Sequence, residues 1–213
     1  MRTFSDLCEA KPFYYWDMSY DDEAAVSDSM RNKPFDRTAC TIDTGAFKGT
    51  GIVMEKVKGS SISGITVSGF YWAAKLVNCS GVTVADCDFS DNYTNPEGGW
   101  GDQEGGALLM EGVSKSTISG NNANNNANAL IMRKSNNNTI KDNSFAIASD
   151  VCLEMDNSSY NTVEDNDFSW GIRIDVYDEV HARDSTSSLF ESGSNYNSIY
   201  NNDFTHGGGI LMH

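Results

Sequence analysis

The sequence predicts an all-β protein, a right-handed parallel β-helix of about seven turns over residues 41–213. Three observations predict it: a short pattern recurs seven times, a second apolar register precedes the pattern at a fixed distance, and Asn recurs at one fixed repeat position. Residues 1–40, with aromatics at 13–16 and a helix-like segment at 21–30, are expected to form an N-terminal cap or an irregular, partly helical turn. The last residues of the sequence, GGGILMH, still have the composition of a strand, so we expect further turns beyond residue 213.

The recurring pattern is Ser or Thr, then Ile or Val, two variable residues, Asn or a small residue, a variable residue and an apolar residue. TIKDNSF from Thr139 and TVEDNDF from Thr162 are clear copies, and successive copies are 20, 22, 34, 22, 23 and 36 residues apart. A period of 20 to 23 with two longer intervals indicates one coil with two insertions, since helical repeats need about 33 residues or more. The second residues of the copies, predicted to stack inside the coil, are Ile42, Ile62, Val84, Ile118, Ile140, Val163 and Ile199.

A second strand in each turn is predicted from apolar residues that stand eight and ten positions before the second residue of a copy. Apolar residues two apart mark one face of a strand. These pairs are Ile52 and Met54, Ala74 and Leu76, Leu108 and Met110, Leu130 and Met132, and Leu153 and Met155.

The Asn residues at one repeat position predict a ladder inside the coil. Equivalent residues of a β-helix lie about 4.8 Å apart, so stacked amides can hydrogen-bond along the column. The preference of Asn for tight turns explains the run at 121–126 but not the fixed column. The predicted ladder consists of Asn121, Asn143, Asn166 and Asn202.

Composition excludes several classes of function. The net charge of −15 argues against nucleic-acid binding, which needs a basic face. Five cysteines without a CxxC pair indicate neither a disulfide framework nor a zinc site, and no apolar stretch is long enough to span a membrane. The N-terminus has no apolar signal region and is therefore not a signal peptide. We expect the chain to be a piece of a longer precursor that is extracellular or periplasmic, and a cytoplasmic location is the alternative. The full-length protein is expected to be a monomer.

Charged residues on the outward side of the long strands form the candidate site. Glu111, Arg133 and Asp156 are predicted on three consecutive turns, with Glu154 two residues from Asp156. Carboxylates about 7 to 10 Å apart suit an inverting glycosidase, and the arginine would separate their pKa values. Cross-strand ion pairs on a solvated face are the alternative explanation. Further along the same two columns lie Asp175, Tyr177 and His213, although GIRIDVY could slide by two and bring Arg173 into them.

The two insertions, at 90–105 and 178–196, are expected to flank this sheet, as long loops of solenoids usually mark the binding face. Trp100 would stack on a sugar ring or, equally, anchor its loop, while His181 and Arg183 would reach across a groove. A long surface of this kind predicts an extended polysaccharide as the partner. The expected substrate-binding residues are Lys75, Trp100, Arg173 and Arg183, and an adhesin-like or structural module without catalysis is the alternative.

The repeat copies from Thr41 to His213 resemble the right-handed parallel β-helix proteins of the pectate-lyase-like superfamily and its NosD-type repeats. The resemblance implies that a ladder Asn follows the second strand of a turn, so that VCLEM at 151–155 begins the next turn. It also implies a glycoside hydrolase or a polysaccharide lyase, the latter with Ca²⁺ or Arg at the uronate and with Tyr177, His181 or His213 as base. No cofactor is certain: Asp86, Asp88 or the groove carboxylates would hold Ca²⁺ without a contiguous calcium loop. The His and Cys placement offers copper no site, and the Asp-Pro-His motif of the related epimerases is absent.

Overall fold

The structure, a computed structural model, describes residues 47–94, 105–177 and 193–212. These residues form thirteen strands and contain no helix long and apolar enough to cross a membrane. The long strands are β1 (Thr50–Glu55), β3 (Trp72–Val77), β5 (Gly106–Glu111), β7 (Asn128–Arg133), β9 (Val151–Asp156), β11 (Ile174–Tyr177) and β13 (Ile210–Met212). The three-residue strands are β2 (Ser61–Ser63), β4 (Thr83–Ala85), β6 (Thr117–Ser119), β8 (Thr139–Lys141), β10 (Thr162–Glu164) and β12 (Ser198–Tyr200).

The strands alternate between two parallel sheets. The seven odd-numbered strands pair in chain order in the long sheet, and the six even-numbered strands do so in the short sheet. Each turn therefore contributes one strand to each sheet, which confirms the predicted parallel β-helix, with six to seven turns. Residues 1–40 and the first repeat copy at Ile42 lie outside the described residues.

Two further ladders of single β-bridges connect the sheets, so a turn has four sides. One runs through Lys58, Ser80, Ser114 and Asn136. The other runs through Thr66, Asp88, Asn122, Ser144, Asp167 and Asp203.

The chain turns between these sides at four corners, and each corner residue has a positive φ. This left-handed conformation costs a residue with a side chain roughly 1 to 2 kcal/mol, least for Asn and Asp. Corner 1 is Lys56, Asn78, Gly112, Lys134 and Asn157, and corner 2 is Gly59, Gly81, Lys115, Asn137, Tyr160 and Tyr196. Corner 3 is Gly64, Asp86, Gly120, Asp142, Asp165 and Asn201, and corner 4 is Gly69, Asp91, Asn125, Ile147, Trp170 and His206.

The core is built from columns of identical repeat positions. The predicted Ile and Val column is in register from Ile62 to Ile199, fully buried in the middle turns and partly buried at these two ends. Phenylalanine rings stack beside it: Phe145 lies 5.7 Å from Phe168, which lies 5.4 Å from Phe204. The short strands therefore face the core through one residue each.

The Asn ladder runs down the interior as a chain of amide hydrogen bonds. Nδ2 of Asn121 donates to Oδ1 of Asn143 at 2.9 Å, and the same bond joins Asn143 to Asn166 at 2.9 Å and Asn166 to Asn202 at 3.0 Å. Each Oδ1 also accepts the backbone N–H of the preceding ladder residue, and Nδ2 of Asn143 also donates to the Ile118 carbonyl. The ladder thus satisfies buried polar groups in successive turns.

Further interior ladders escaped the sequence analysis, and two of them have three or more members. Ser135, Ser158 and Ser194 form one, in which each hydroxyl accepts the backbone N–H of the residue one turn earlier. The second is a further amide column that immediately precedes the short strands. It comprises Ser116, Asn138, Asn161 and Asn197.

We expect Asn143→Leu to lower the free energy of unfolding by about 1 to 3 kcal/mol, because it leaves buried donors and acceptors on neighbouring turns without partners. Urea denaturation measures this. Asn122→Leu is the matched control, since Asn122 points out of the coil and accepts a 3.3 Å bond from the Asn124 amide. Equal stability of the two variants would contradict a structural role for the ladder.

Candidate functional site

The outer face of the long sheet brings the predicted charged columns into register. Glu154 pairs with Ile131 on one side and Asp175 on the other. Asp156 likewise pairs with Arg133 and with Tyr177. The proposed two-residue slide of GIRIDVY is therefore wrong, and Arg173 lies outside both columns, directly before β11.

Arg133 bridges the two carboxylates of β9. Its Nη2 lies 3.9 Å from Oε1 of Glu154, and its Nε lies 3.8 Å from Oδ2 of Asp156. The Glu154 and Asp156 side chains are 19% and 13% exposed and Arg133 is 33% exposed, so these cross-strand ion pairs, which the alternative explanation predicts, are partly buried. Charges that are this poorly hydrated interact more strongly than surface pairs.

Glu154 has a strongly perturbed pKa. Burial is the main cause, and the negative charge of Asp156 adds to it, while Arg133 opposes the rise. Asp150 and Asp175 raise the pKa further, to about 8. Glu154 therefore carries a proton at neutral pH, although it lies beside an arginine.

A second arginine holds the carboxylate next to Glu154. Nε of Arg173 donates to Oδ1 of Asp175 at 2.6 Å, and Asp175 is 1% exposed. Asp175 is on the strand adjacent to Glu154, about 4.8 Å away along the sheet. The acidic cluster, defined as Arg133, Glu154, Asp156, Arg173 and Asp175, thus contains three carboxyl groups and two guanidinium groups.

The same outer face is apolar in the preceding turns, and there its side chains are buried. Trp72, Leu109 and Ile131 form a separate buried cluster outside the coil. Ile131 is the register partner of Glu154, so this apolar surface adjoins the carboxyl group and contributes to its poor hydration. Lys75 lies over Trp72, with Nζ 5.9 Å from the ring centre, three strands from Glu154 and hence apart from the cluster.

The remaining predicted residues are placed as follows. Glu111 is exposed and in register with Arg133, at the rim of the acidic cluster. The backbone of Tyr177 lies beside Asp156. Trp100, His181, Arg183 and His213 lie outside the described residues, as do the central parts of the two insertions.

The acidic cluster has the components of acid–base chemistry. A carboxyl group that keeps its proton at neutral pH is a proton donor, while a carboxylate held beside arginine accepts a proton or stabilises positive charge. Pairs of titratable groups whose environments separate their pKa values characterise catalytic sites, although ion-pair networks share this property.

Metal donors fit poorly in the described part of the chain. There, no group of three or more His, Cys, Asp or Glu side chains is placed to hold a metal ion. Cys79, Cys87 and Cys152 are buried singly, and burial raises the pKa of each, that of Cys152 to about 12, whereas a copper ligand is a thiolate. Four methionines, at positions 54, 110, 132 and 155, are packed in the core, whereas Met212 and His206 are exposed.

The raised pKa of Glu154 predicts how stability depends on pH. The folded protein binds a proton at Glu154 that the unfolded chain releases near pH 4.5, so Glu154 stabilises the fold less as pH rises from about 4.5 to about 8. We expect Glu154→Gln to flatten this fall in urea denaturation measured across that range. Asp142→Asn, an exposed change on corner 3, should retain the wild-type slope, and an unchanged slope in Glu154→Gln would contradict the assignment.

Arg133 lowers the pKa of Glu154, so its removal has a predictable sign. We expect Arg133→Met to raise the pKa of Glu154 further and Arg133→Lys to preserve it approximately. Carboxyl chemical shifts followed by NMR across a pH titration measure both values. A lower pKa of Glu154 in Arg133→Met would show that the guanidinium does not face this carboxyl group.

Comparison with known proteins identifies the family of the chain. Residues 30–208 match the family model described as "Periplasmic copper-binding protein (NosD)". The same comparisons find no match among curated proteins or solved structures. Because the family match spans well over half of the sequence and the fold is the parallel β-helix of its repeats, the chain belongs to the NosD family of periplasmic proteins.

Proposed function

We propose that this protein is a carbohydrate-active β-helix that binds an extended polysaccharide over the outer face of the long sheet and hydrolyses a glycosidic bond at the acidic cluster. The observation that carries the proposal is the placement of Arg133 between two poorly exposed carboxyl groups, Glu154 and Asp156, and burial raises the pKa of Glu154. The periplasm, where the family is located, gives such a protein access to cell-envelope and imported glycans.

In this proposal Glu154 is the general acid and Asp156 the general base. Glu154 donates its proton to the oxygen of the leaving sugar as the glycosidic bond breaks, and Asp156 accepts a proton from the attacking water. Proton exchange with solvent restores both groups. The two residues lie about 6.6 Å apart along one strand, so their side chains leave the same face of the sheet.

Asp175 and Arg173 act on the charge of the site. Asp175 raises the pKa of Glu154, and Arg173 compensates for the buried carboxylate. Exposed Glu111 borders the substrate surface. Elimination, with Tyr177, His181 or His213 as base, is the other cleavage reaction that the pectate-lyase-like resemblance implies.

A non-catalytic glycan-binding or structural module is the second candidate. The observation that favours it is that both arginines of the acidic cluster contact its carboxylates, as in an ion-pair network that stabilises a sheet. Such a module would bind a glycan, or no glycan, without cleaving it. The Glu154 proton would then have no chemical role.

A polysaccharide screen read in two ways tests the proposal. We expect the protein to release new reducing ends from at least one of a β-glucan, a xylan, a galactomannan and polygalacturonate, without the near-ultraviolet absorbance that elimination produces. Glu154→Gln and Asp156→Asn should each reduce the rate by about 100-fold or more, the usual contribution of a general acid or base. Asp142→Asn should retain the wild-type rate.

Three outcomes would revise the proposal. New near-ultraviolet absorbance would assign the site to elimination. Binding without cleavage by the full-length protein would favour the glycan-binding module. Activity that survives both carboxyl substitutions would place the chemistry elsewhere.

A further inference from the structure

Corner 4 changes character along the coil. Its first three described positions are Gly, Asp and Asn, and its last three are Ile147, Trp170 and His206. Ile147 is 56% exposed and Trp170 is 63% exposed. Ile172, which follows Trp170 by two residues, is also exposed. The C-terminal turns thus carry an apolar strip, defined as Ile147, Trp170, Ile172 and His206, on the outside of the coil.

The backbone conformation of two residues in this strip lowers the stability of the fold. Ile147 and Trp170 have φ values of 56° and 58°, a conformation that is an outlier for β-branched and bulky residues. Glycine, Asp and Asn occupy the same corner without this cost in earlier turns. Neither burial nor packing explains why Ile147 occupies this strained position. Strained residues tend to cluster at functional sites, so the strip is a candidate binding surface.

Ring contact between turns accounts for part of the strip only. The rings of Trp170 and His206 lie 4.3 Å apart at 31°, which links two consecutive turns. Most of the indole nevertheless remains open to solvent. A flat aromatic surface of this kind binds the C–H face of a sugar ring.

Hydrogen-bonding groups border the strip on the adjacent bridge ladder. The Asp167 carboxylate accepts the Ser169 amide at 2.8 Å, and the Asp203 carboxylate accepts the Thr205 amide at 2.8 Å. Hydrogen bonds from Thr205 hold the pKa of Asp203 below its usual value, so this carboxylate is ionised and accepts from hydroxyl groups. Apolar rings beside fixed acceptors suit a neutral sugar, whereas a net charge of −15 disfavours an anionic ligand.

The strip is continuous with the acidic cluster along the chain. Trp170 is three residues from Arg173 and five from Asp175, a path of about 17 Å at most when extended. Ile172 lies between them and is exposed. A polymer that passes over Glu154 therefore reaches Trp170 within a few sugar units.

We propose that the corner 4 strip is a distal subsite that stacks a neutral sugar unit of the bound polysaccharide against Trp170. The inference rests on the proposed function, since the same polymer occupies both places. It assigns the strip a role in affinity for long chains and none in bond cleavage.

Substitutions that suit the corner backbone test the subsite. Trp170→Asn should weaken binding of a neutral polysaccharide about tenfold in affinity electrophoresis, while Trp170→Tyr retains most of the affinity. Both Trp170→Asn and Ile147→Asn should leave the urea midpoint unchanged or raise it, because Asn tolerates a positive φ. Tyr160→Asn is the matched control: Tyr160 is an exposed aromatic with φ 58° on corner 2, and its loss should not change binding.

The subsite and the proposed function fail in different ways. If Trp170→Asn binds as the wild type does while Glu154→Gln or Asp156→Asn alters binding or cleavage, the subsite is wrong and the function stands. Equal losses in Trp170→Asn and Tyr160→Asn would also overturn the subsite. If the wild-type protein binds polygalacturonate but none of the neutral polysaccharides, the subsite alone fails, and if it binds no polysaccharide of the screen, the proposed function and the subsite fail together.

Discussion

The parallel stacking of turns at one fixed register is the constraint on which the rest of the structure depends. Equivalent residues of successive turns lie about 4.8 Å apart, so a polar side chain inside the coil finds partners in the neighbouring turns as well as in its own. Asn143 meets this condition with an amide on either side, and Ser158 meets it with a hydroxyl. In the described turns the interior is therefore polar along several ladders whose side chains are hydrogen-bonded from one turn to the next.

The same register builds the candidate site on the outside. Residues 20 or more positions apart in sequence become neighbours, which brings Arg133 between two carboxyl groups and places Ile131 against Glu154. The arginine and the apolar neighbour act in opposite directions on the Glu154 pKa, and burial prevails. An ordinary surface glutamate would lose its proton near pH 4.5, so the outer apolar cluster gives this carboxyl group its distinct chemistry.

The sequence predicted the structural features that recur in every turn, but it did not predict the features that differ from one turn to the next. The Ile and Val column, the Asn143 ladder and the Glu154 register follow directly from the period, since equal repeat positions must stack. Alternation along a strand gives only the direction of a side chain, so it could not show that outward Leu109 is buried. The second amide ladder was hidden because Asn138 precedes a strand, where Asn is also expected from turn preference alone.

The differences between turns indicate where function lies. The early turns have Gly and Asn or Asp at corners 3 and 4 and apolar residues on the outer face of the long sheet, an arrangement that favours stability. From β9 onward, the outer face acquires a buried acidic cluster and corner 4 acquires strained Trp170, each at a cost to the fold. A repeat that only had to stack would gain stability by reverting both, because Asn fits the corner and apolar residues fit the sheet. Both departures occur in the same turns, at residues that the chain connects within five positions, which favours one binding surface over two unrelated irregularities.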